Sequence, residues 1–280
     1  MRCAAINAGM ALGKVLFFIL LIYLIAAAIL YIFQKHFIYF PDRTYITLSQ
    51  AHAHENLKEL AVTTEDGLHL IGWYATANGK RLTLVFFHGN GDSLRTAAKI
   101  ADPYLDAGYG FLLAEYRGYS GFEGRPTEQG LYADARAFLK ALIVSGVRER
   151  DLVLYGYSLA TGVGIQMATE FRVAGLILLA PFLSLVEIAQ TRFPIFPAGL
   201  LVLDRFENFK KIPTIKVPLL VGQGENDAVE PFAQAQELYA LANEPKEFYR
   251  FPDGQHNNLL DLGFVPISLS WLERLGSAAG

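Results

Sequence analysis

Only one cysteine, Cys3, occurs in the 280 residues, so no disulfide can form within the chain and no cysteine-based metal site exists. Cys3 could be read as a lipidation site beside the apolar run that follows it; an unmodified tail residue is the simpler reading. Charge is scarce too. Charged residues make up 18% of the chain and the net charge is −3, with no basic run and no interleaving of basic and aromatic residues, which removes nucleic acid as a partner. Internal repeats and low-complexity tracts are missing, so the solenoid and disordered classes are excluded. His52 and His54 could pair on a metal, but no carboxylate cluster completes a site, and together with His69 they read as exposed polar residues. No metal and no organic cofactor is expected.

What the chain has in excess is apolar surface, 52% of its residues. Much of it is concentrated in Val15 to Phe33, 19 residues without a charge. A helix of that length measures about 28 Å, close to the hydrocarbon thickness of a bilayer. Lys14 closes the run on one side and Lys35 with His36 on the other, while Tyr31, Phe37, Tyr39 and Phe40 suit the headgroup boundary. A cleaved signal peptide, cut at Ala26-Ala27-Ala28, is the alternative, but the apolar stretch continues past those alanines. A core helix would carry one polar face. The expected organisation is a tail (1–14), a single transmembrane helix (15–33), a connecting segment (34–59) and an α/β domain (60–280). The protein is therefore expected to be a single-pass membrane protein. Basic residues on the two sides of the helix nearly balance, so its sidedness is not assigned.

From about residue 60 the pattern alternates. Strands are predicted at Ala61–Thr64, Leu68–Ala75, Leu82–Phe87, Gly110–Glu115, Leu152–Tyr155, Gly175–Leu179, Pro218–Val221 and Glu247–Phe251. Thr64-Glu65-Asp66-Gly67 reads as the turn joining the first two. Helices are predicted at Leu94–Ala107, Glu128–Ser145, Leu159–Phe171, Pro231–Ala242 and Asn258–Leu275. Several later strands are continuous apolar runs, as parallel strands covered on both faces require. This pattern predicts an α/β fold with one mostly parallel sheet between helical layers. Residues 181–213 interrupt the alternation with an apolar segment too long for an ordinary connection, the expected place of a cap over a site or of a second membrane-touching surface.

The sharpest motif is Gly156-Tyr157-Ser158-Leu159-Ala160, in which a strand ends and a helix starts straight after a serine. A nucleophile elbow needs this context, because a tight, strained turn pushes the hydroxyl out at the sheet edge and aims helix N–H groups at an oxyanion. A capping serine is the structural alternative. His88-Gly89-Asn90-Gly91 follows the third predicted strand, where a loop facing the serine belongs; Asn90 and Leu159 are the candidate oxyanion donors and His88 a loop-structuring residue. Downstream, Asp227 and His256 each follow a predicted strand, in the order Ser, acid, His that this site architecture requires. Glu225 is the nearby competitor for the acid.

These segments resemble membrane-anchored abhydrolase-domain serine hydrolases of the α/β-hydrolase superfamily. The resemblance also rests on Glu115-Tyr-Arg-Gly-Tyr-Ser-Gly-Phe-Glu-Gly124, Asp204-Arg-Phe206 and Gly254-Gln-His256-Asn257, and spans residues 35–275 as well as the N-terminal apolar helix. It implies the α/β-hydrolase fold, hydrolysis of acyl esters or thioesters on small-molecule or lipid substrates, and a Ser158–Asp227–His256 triad. Some relatives are depalmitoylases and others lipases. Two departures stand out: Ala160 in place of the usual glycine, and Gln223 where relatives often carry histidine, neither expected to touch a triad atom. A membrane-tethered serine peptidase and a non-catalytic adaptor that keeps the fold are the rival readings.

Overall fold

The computed structural model describes residues 2–79 and 81–278; the side chain of Cys3 lies outside what it describes. The first helix, α1, runs Arg2–Ile38, well past the 15–33 expected from hydropathy alone. The reason is local. No proline precedes Pro41, whose ring disfavours helical backbone in the residue before it, so nothing stops the helix earlier and residues 34–38 are helical rather than connecting.

Among the described residues, eight strands form one sheet: β1 (Lys58–Thr63), β2 (His69–Ala75), β3 (Thr83–Phe87), β4 (Gly110–Ala114), β5 (Leu152–Tyr157), β6 (Gly175–Leu179), β7 (Leu219–Gly224) and β8 (Lys246–Phe251). Their order across the sheet is β1-β2-β4-β3-β5-β6-β7-β8. β1 and β2 pair antiparallel, as do β2 and β4, and all remaining pairs are parallel. The β1–β2 turn is the one expected, with Gly67 at φ +87° and the Thr64 hydroxyl held by Asp66.

Alternate residues of the central strands enter two cores. Val85, Phe87, Leu154, Leu176 and Val221 face one, where Phe138, Val163 and Leu238 descend from helices Glu128–Val144, Thr161–Glu170 and Phe232–Leu241. Leu84, Phe86, Tyr155, Ile177 and Leu220 face the other, against Leu94, Tyr104, Trp271 and Leu272. β3, β4, β5 and β6 are buried on both faces, which explains their uninterrupted apolar sequence.

Two predicted helices are broken. Leu94–Ala107 divides into Leu94–Ala97, a 3₁₀ turn Ala98–Ile100 and Asp102–Asp106, the last with Pro103 in its first turn. Asn258–Leu275 is interrupted by Gly263 at φ +104°, after which Val265–Ala278 is regular. A positive φ is open to glycine at little cost.

Register decides what lies where. Phe87 is level with Gly156, Tyr157 with Leu179, Leu179 with Gly222, and Gly224 with Phe251. The segments after β3, β5, β7 and β8 therefore leave one edge of the sheet side by side.

A buried ion pair ties the antiparallel end to the parallel one. Arg117, after β4, forks onto Asp134 at 2.7–3.1 Å and onto Asp66 in the β1–β2 turn at 2.6–2.9 Å, and the Asp134 side chain is 0% exposed. Removing one partner leaves a buried charge uncompensated. Asp134→Ala is expected to lower the free energy of unfolding by about 3 kcal/mol, read from denaturant midpoints at unchanged m-value.

Candidate active site

Ser158 sits at the end of the central strand β5 with φ +52°, a left-handed backbone that serine adopts only under constraint. The constraint is the direct passage from strand into the 3₁₀ turn Ser158–Ala160 and then helix Thr161–Glu170. Gly156 makes the passage sterically possible, since a Cβ there would lie 2.5 Å from the Ala160 carbonyl and 2.7 Å from the Thr161 Cα. Ala160 itself is buried, so its extra methyl is accommodated. The loop after β3 packs against the serine in ordinary contact. A Cβ on Gly89 would lie 3.4 Å from that of Ser158.

The hydroxyl of Ser158 lies 2.9 Å from Nε2 of His256, and Nδ1 of His256 lies 2.8 Å from Oδ2 of Asp227. Asp227 turns this oxygen to the ring because its other one, Oδ1, accepts the N–H groups of Val229 and Glu230, both at 2.8 Å. The imidazole is steered from a second side by Tyr157, whose ring stacks on it at 5.9 Å and whose hydroxyl donates to the His256 carbonyl at 2.8 Å. Glu225 is turned away and pairs with Arg250, while Asn226 donates to the Pro252 carbonyl. The acid that reaches the imidazole is thus Asp227.

The candidate oxyanion donors lie beside the serine. Leu159 belongs to the helix start, where backbone N–H groups have no intrahelical partner. The Asn90 N–H makes no hydrogen bond among the described residues. The Asn90 side chain is occupied elsewhere: its amide donates to the Ile38 carbonyl, and its oxygen accepts from the Phe40 N–H at 2.7 Å and the Tyr119 hydroxyl at 3.1 Å. His88 is buried behind this loop, bonded to Glu115 at 2.7 Å and to the Gly89 carbonyl at 2.9 Å. Burial opposes a charge on His88, yet the Glu115 carboxylate outweighs it and raises its pKa, and the ring is fixed through both nitrogens.

Of two further residues at the site, the sequence reading noted one without expecting its contact and missed the other. Gln223 is fully buried and donates to Asp227 Oδ2 at 3.2 Å and to the Glu230 carbonyl at 2.8 Å. The departure at this position therefore touches the acid after all, because β7 carries residue 223 toward the loop that bears residue 227. Glu230 is the second. Its Oε1 lies 3.4 Å from the Ser158 hydroxyl, and burial followed by the Asp227 charge pushes its carboxyl well above the usual carboxylate range. The one available signal was its place between Val229 and Pro231, an apolar setting for a charged residue.

Above these groups lies a cavity of about 540 Å³. Its walls come from Leu185, Ile188 and Phe196 of the segment between β6 and β7, and from Leu30, Phe37 and Ile38 of α1.

With this geometry in view, the likeness to known proteins is informative. The sequence profile of the Alpha/beta hydrolase family matches residues 84–250. The chain belongs to the alpha/beta hydrolase family. This hydrolase-family chain is 34% identical over 235 residues to the uncharacterized protein Rv2307c of Mycobacterium tuberculosis, covering 81% of this chain and 83% of that one. It is also 30% identical over 204 residues to the alpha/beta hydrolase domain-containing protein aho-3 of Caenorhabditis elegans, covering 70% and 56% respectively. The solved structure of the Pyrococcus furiosus esterase Pf2001 superposes with a TM-score of 0.65 at 20% identity, over 85% of this chain and 97% of that one. An alpha-beta hydrolase from Vibrio vulnificus reaches 0.68 at 23% identity, over 82% and 88%. The fold is that of the α/β hydrolases, and the esterases are its structural neighbours.

A strained residue can be tested by its own replacement. Ser158→Gly is expected to be about 1 kcal/mol more stable than Ser158→Ala, because glycine takes the left-handed backbone without strain; urea denaturation of the two variants measures the difference.

Proposed function

We propose that this chain is a serine hydrolase that cleaves acyl esters or thioesters through a covalent acyl-enzyme, with Ser158 as nucleophile, His256 as general base and Asp227 as the orienting acid. The observation that carries this reading is the continuous chain from the Ser158 hydroxyl through both imidazole nitrogens to Asp227, at 2.9 and 2.8 Å. In it, Nε2 of His256 takes the Ser158 proton as Oγ attacks the carbonyl carbon, and Asp227 stabilises the imidazolium. The backbone N–H groups of Asn90 and Leu159 receive the oxyanion. Collapse expels the alcohol or thiol, which takes the proton from His256. Water activated by the same ring then frees the acid.

The substrate reading follows from the walls of the cavity. They are apolar on two sides, which favours an acyl chain over a peptide. Helix α1 supplies one of those walls and is held to the segment 181–213: the Tyr23 hydroxyl donates to the Ile195 carbonyl at 3.1 Å, Tyr23 stacks on Phe196 at 5.1 Å, and Gln34 bonds to both Leu201 and Leu203. Its span Met10–Ile38 would be about 43 Å long, ample for a hydrocarbon core of roughly 30 Å. Ile195 and Leu200, in the same segment, are 71% and 82% exposed, apolar side chains suited to lipid rather than water. These contacts favour a retained membrane anchor over a cleaved leader, and a substrate whose apolar chain enters from the bilayer.

Two experiments test this. A fluorophosphonate probe is expected to label the purified full chain, with labelling lost in Ser158→Ala and reduced at least 10³-fold in His256→Ala, an order of magnitude set by the loss of one triad member. p-Nitrophenyl esters should turn over while aminoacyl anilides do not; the opposite preference would favour a peptidase, and a folded protein inert to probe and esters alike would favour an adaptor. Separately, Leu30→Trp, which fills the wall contributed by α1, is expected to shift kcat/KM toward shorter acyl chains by about tenfold, a transition-state difference near 1.4 kcal/mol. An unchanged chain-length profile would mean that α1 does not line the acyl site.

A further inference from the structure

Glu230 has no role in the mechanism above, although it lies closer to the proposed nucleophile than Asp227 does in the chain of hydrogen bonds. It is 4% exposed. Among the described residues, no lysine or arginine pairs with its carboxyl, and its buried Oε2 meets no hydrogen-bond partner. The groups that face it come from every element around the site. Asp227 shares its loop, with Oδ1 accepting the Glu230 N–H at 2.8 Å. His256 approaches on the loop after β8, and Tyr157 stands at the end of β5. Asp92 and the exposed Arg192 line the cavity further out. A carboxylate at this place would be a second negative charge beside Asp227 with no cation in contact, and such a charge is relieved by protonation.

We propose that Glu230 is a positioning residue, a neutral carboxylic acid that donates its O–H to Oγ of Ser158, and that its ionisation sets the alkaline limit of activity. This rests on the serine-hydrolase reading. The hydroxyl of Ser158 has one proton to give; when it goes to Nε2 of His256 at 2.9 Å, the lone pairs of Oγ are free to accept from a protonated Glu230, whose Oε1 lies 3.4 Å away. The two bonds together hold Oγ against the β3 loop and the oxyanion donors. When pH rises and Glu230 releases its proton to solvent, the arrangement reverses. The new carboxylate competes with His256 for the serine proton, and it stands beside the negative charge that develops during attack. The sign follows from the direction of the shift: the acid is neutral below its raised pKa, so the site is competent there and fails above it.

The test is the pH profile of the full chain in detergent, read both as kcat/KM for a short p-nitrophenyl ester and as the rate of fluorophosphonate labelling at Ser158. In the unaltered protein both are expected to fall tenfold per pH unit beyond the alkaline ionisation, through kcat rather than KM. Glu230→Gln, which keeps a neutral donor that cannot ionise, should lose that limb. Glu230→Asp, still an acid but one methylene further from Oγ, should show it displaced along the pH axis. An identical limb in Glu230→Gln, or a level profile in the unaltered protein up to alkaline unfolding, overturns the proposal.

Infrared difference spectra between neutral and alkaline pH give a reading without turnover. The C=O stretch of a protonated carboxyl should disappear on alkalinisation in the unaltered chain and in Ser158→Ala, and be missing from Glu230→Gln. Its absence from the unaltered chain overturns the proposal. A folded protein that shows the band but never labels at Ser158 would defeat the hydrolase reading and leave the protonation of Glu230 standing.

Discussion

The site depends on one reversal of backbone direction. At Ser158 the chain leaves the central strand with a positive φ and enters a helix within three residues. Such a conformation costs of order 1–3 kcal/mol and persists only where its surroundings leave no alternative. Here the surroundings are β5, buried along its whole length, and a helix packed so close that Gly156 has no room for a side chain. Strand order does the rest. Because β3 pairs with β5 on one side and β6, β7 and β8 follow on the other, the loops bearing Asn90, Asp227 and His256 leave the sheet around the same hydroxyl.

Charge at this edge is arranged by hydrogen bonds more than by ion pairs. Two backbone N–H groups take one oxygen of Asp227, and His256 and Gln223 share the other. The neighbouring titratable groups are partnered elsewhere: Glu225 with Arg250 at the rim, and His88 with Glu115 in the interior behind the loop. Among the described residues Glu230 stays inside without a counter-charge, and in a desolvated site the inexpensive state of such a group is the neutral one.

The long N-terminal helix joins this arrangement at its C-terminal end. Ile38 and Phe40 grip the Asn90 side chain from either side of Tyr39, and Tyr39 itself donates to Asp204 at 3.0 Å. The loop that passes beside Ser158 is thereby fastened to the element proposed to sit in the membrane. An apolar helix that needed only to tether the domain would have no use for Gln34, which reaches back to Leu201 and Leu203.

Much of this was legible beforehand. Eight strands could be found from apolar runs because both faces of the sheet are covered, and Ser158, Asp227 and His256 could be singled out as candidates because each follows a strand. Helix interruptions were less visible: Gly263 in the last helical pattern gives no sign from composition alone that it takes φ +104°. Local sequence determined the elements, the apolar N-terminal helix and which residue types stand at the strand ends, since propensity and periodicity act over neighbours along the chain. Tertiary structure alone decided that Asp227 rather than Glu225 reaches the imidazole, that Gln223 touches the acid, that α1 walls the cavity and that Glu230 is dry. Those outcomes depend on distances and solvent exclusion between segments far apart in sequence, and neither quantity exists until the sheet has closed its register.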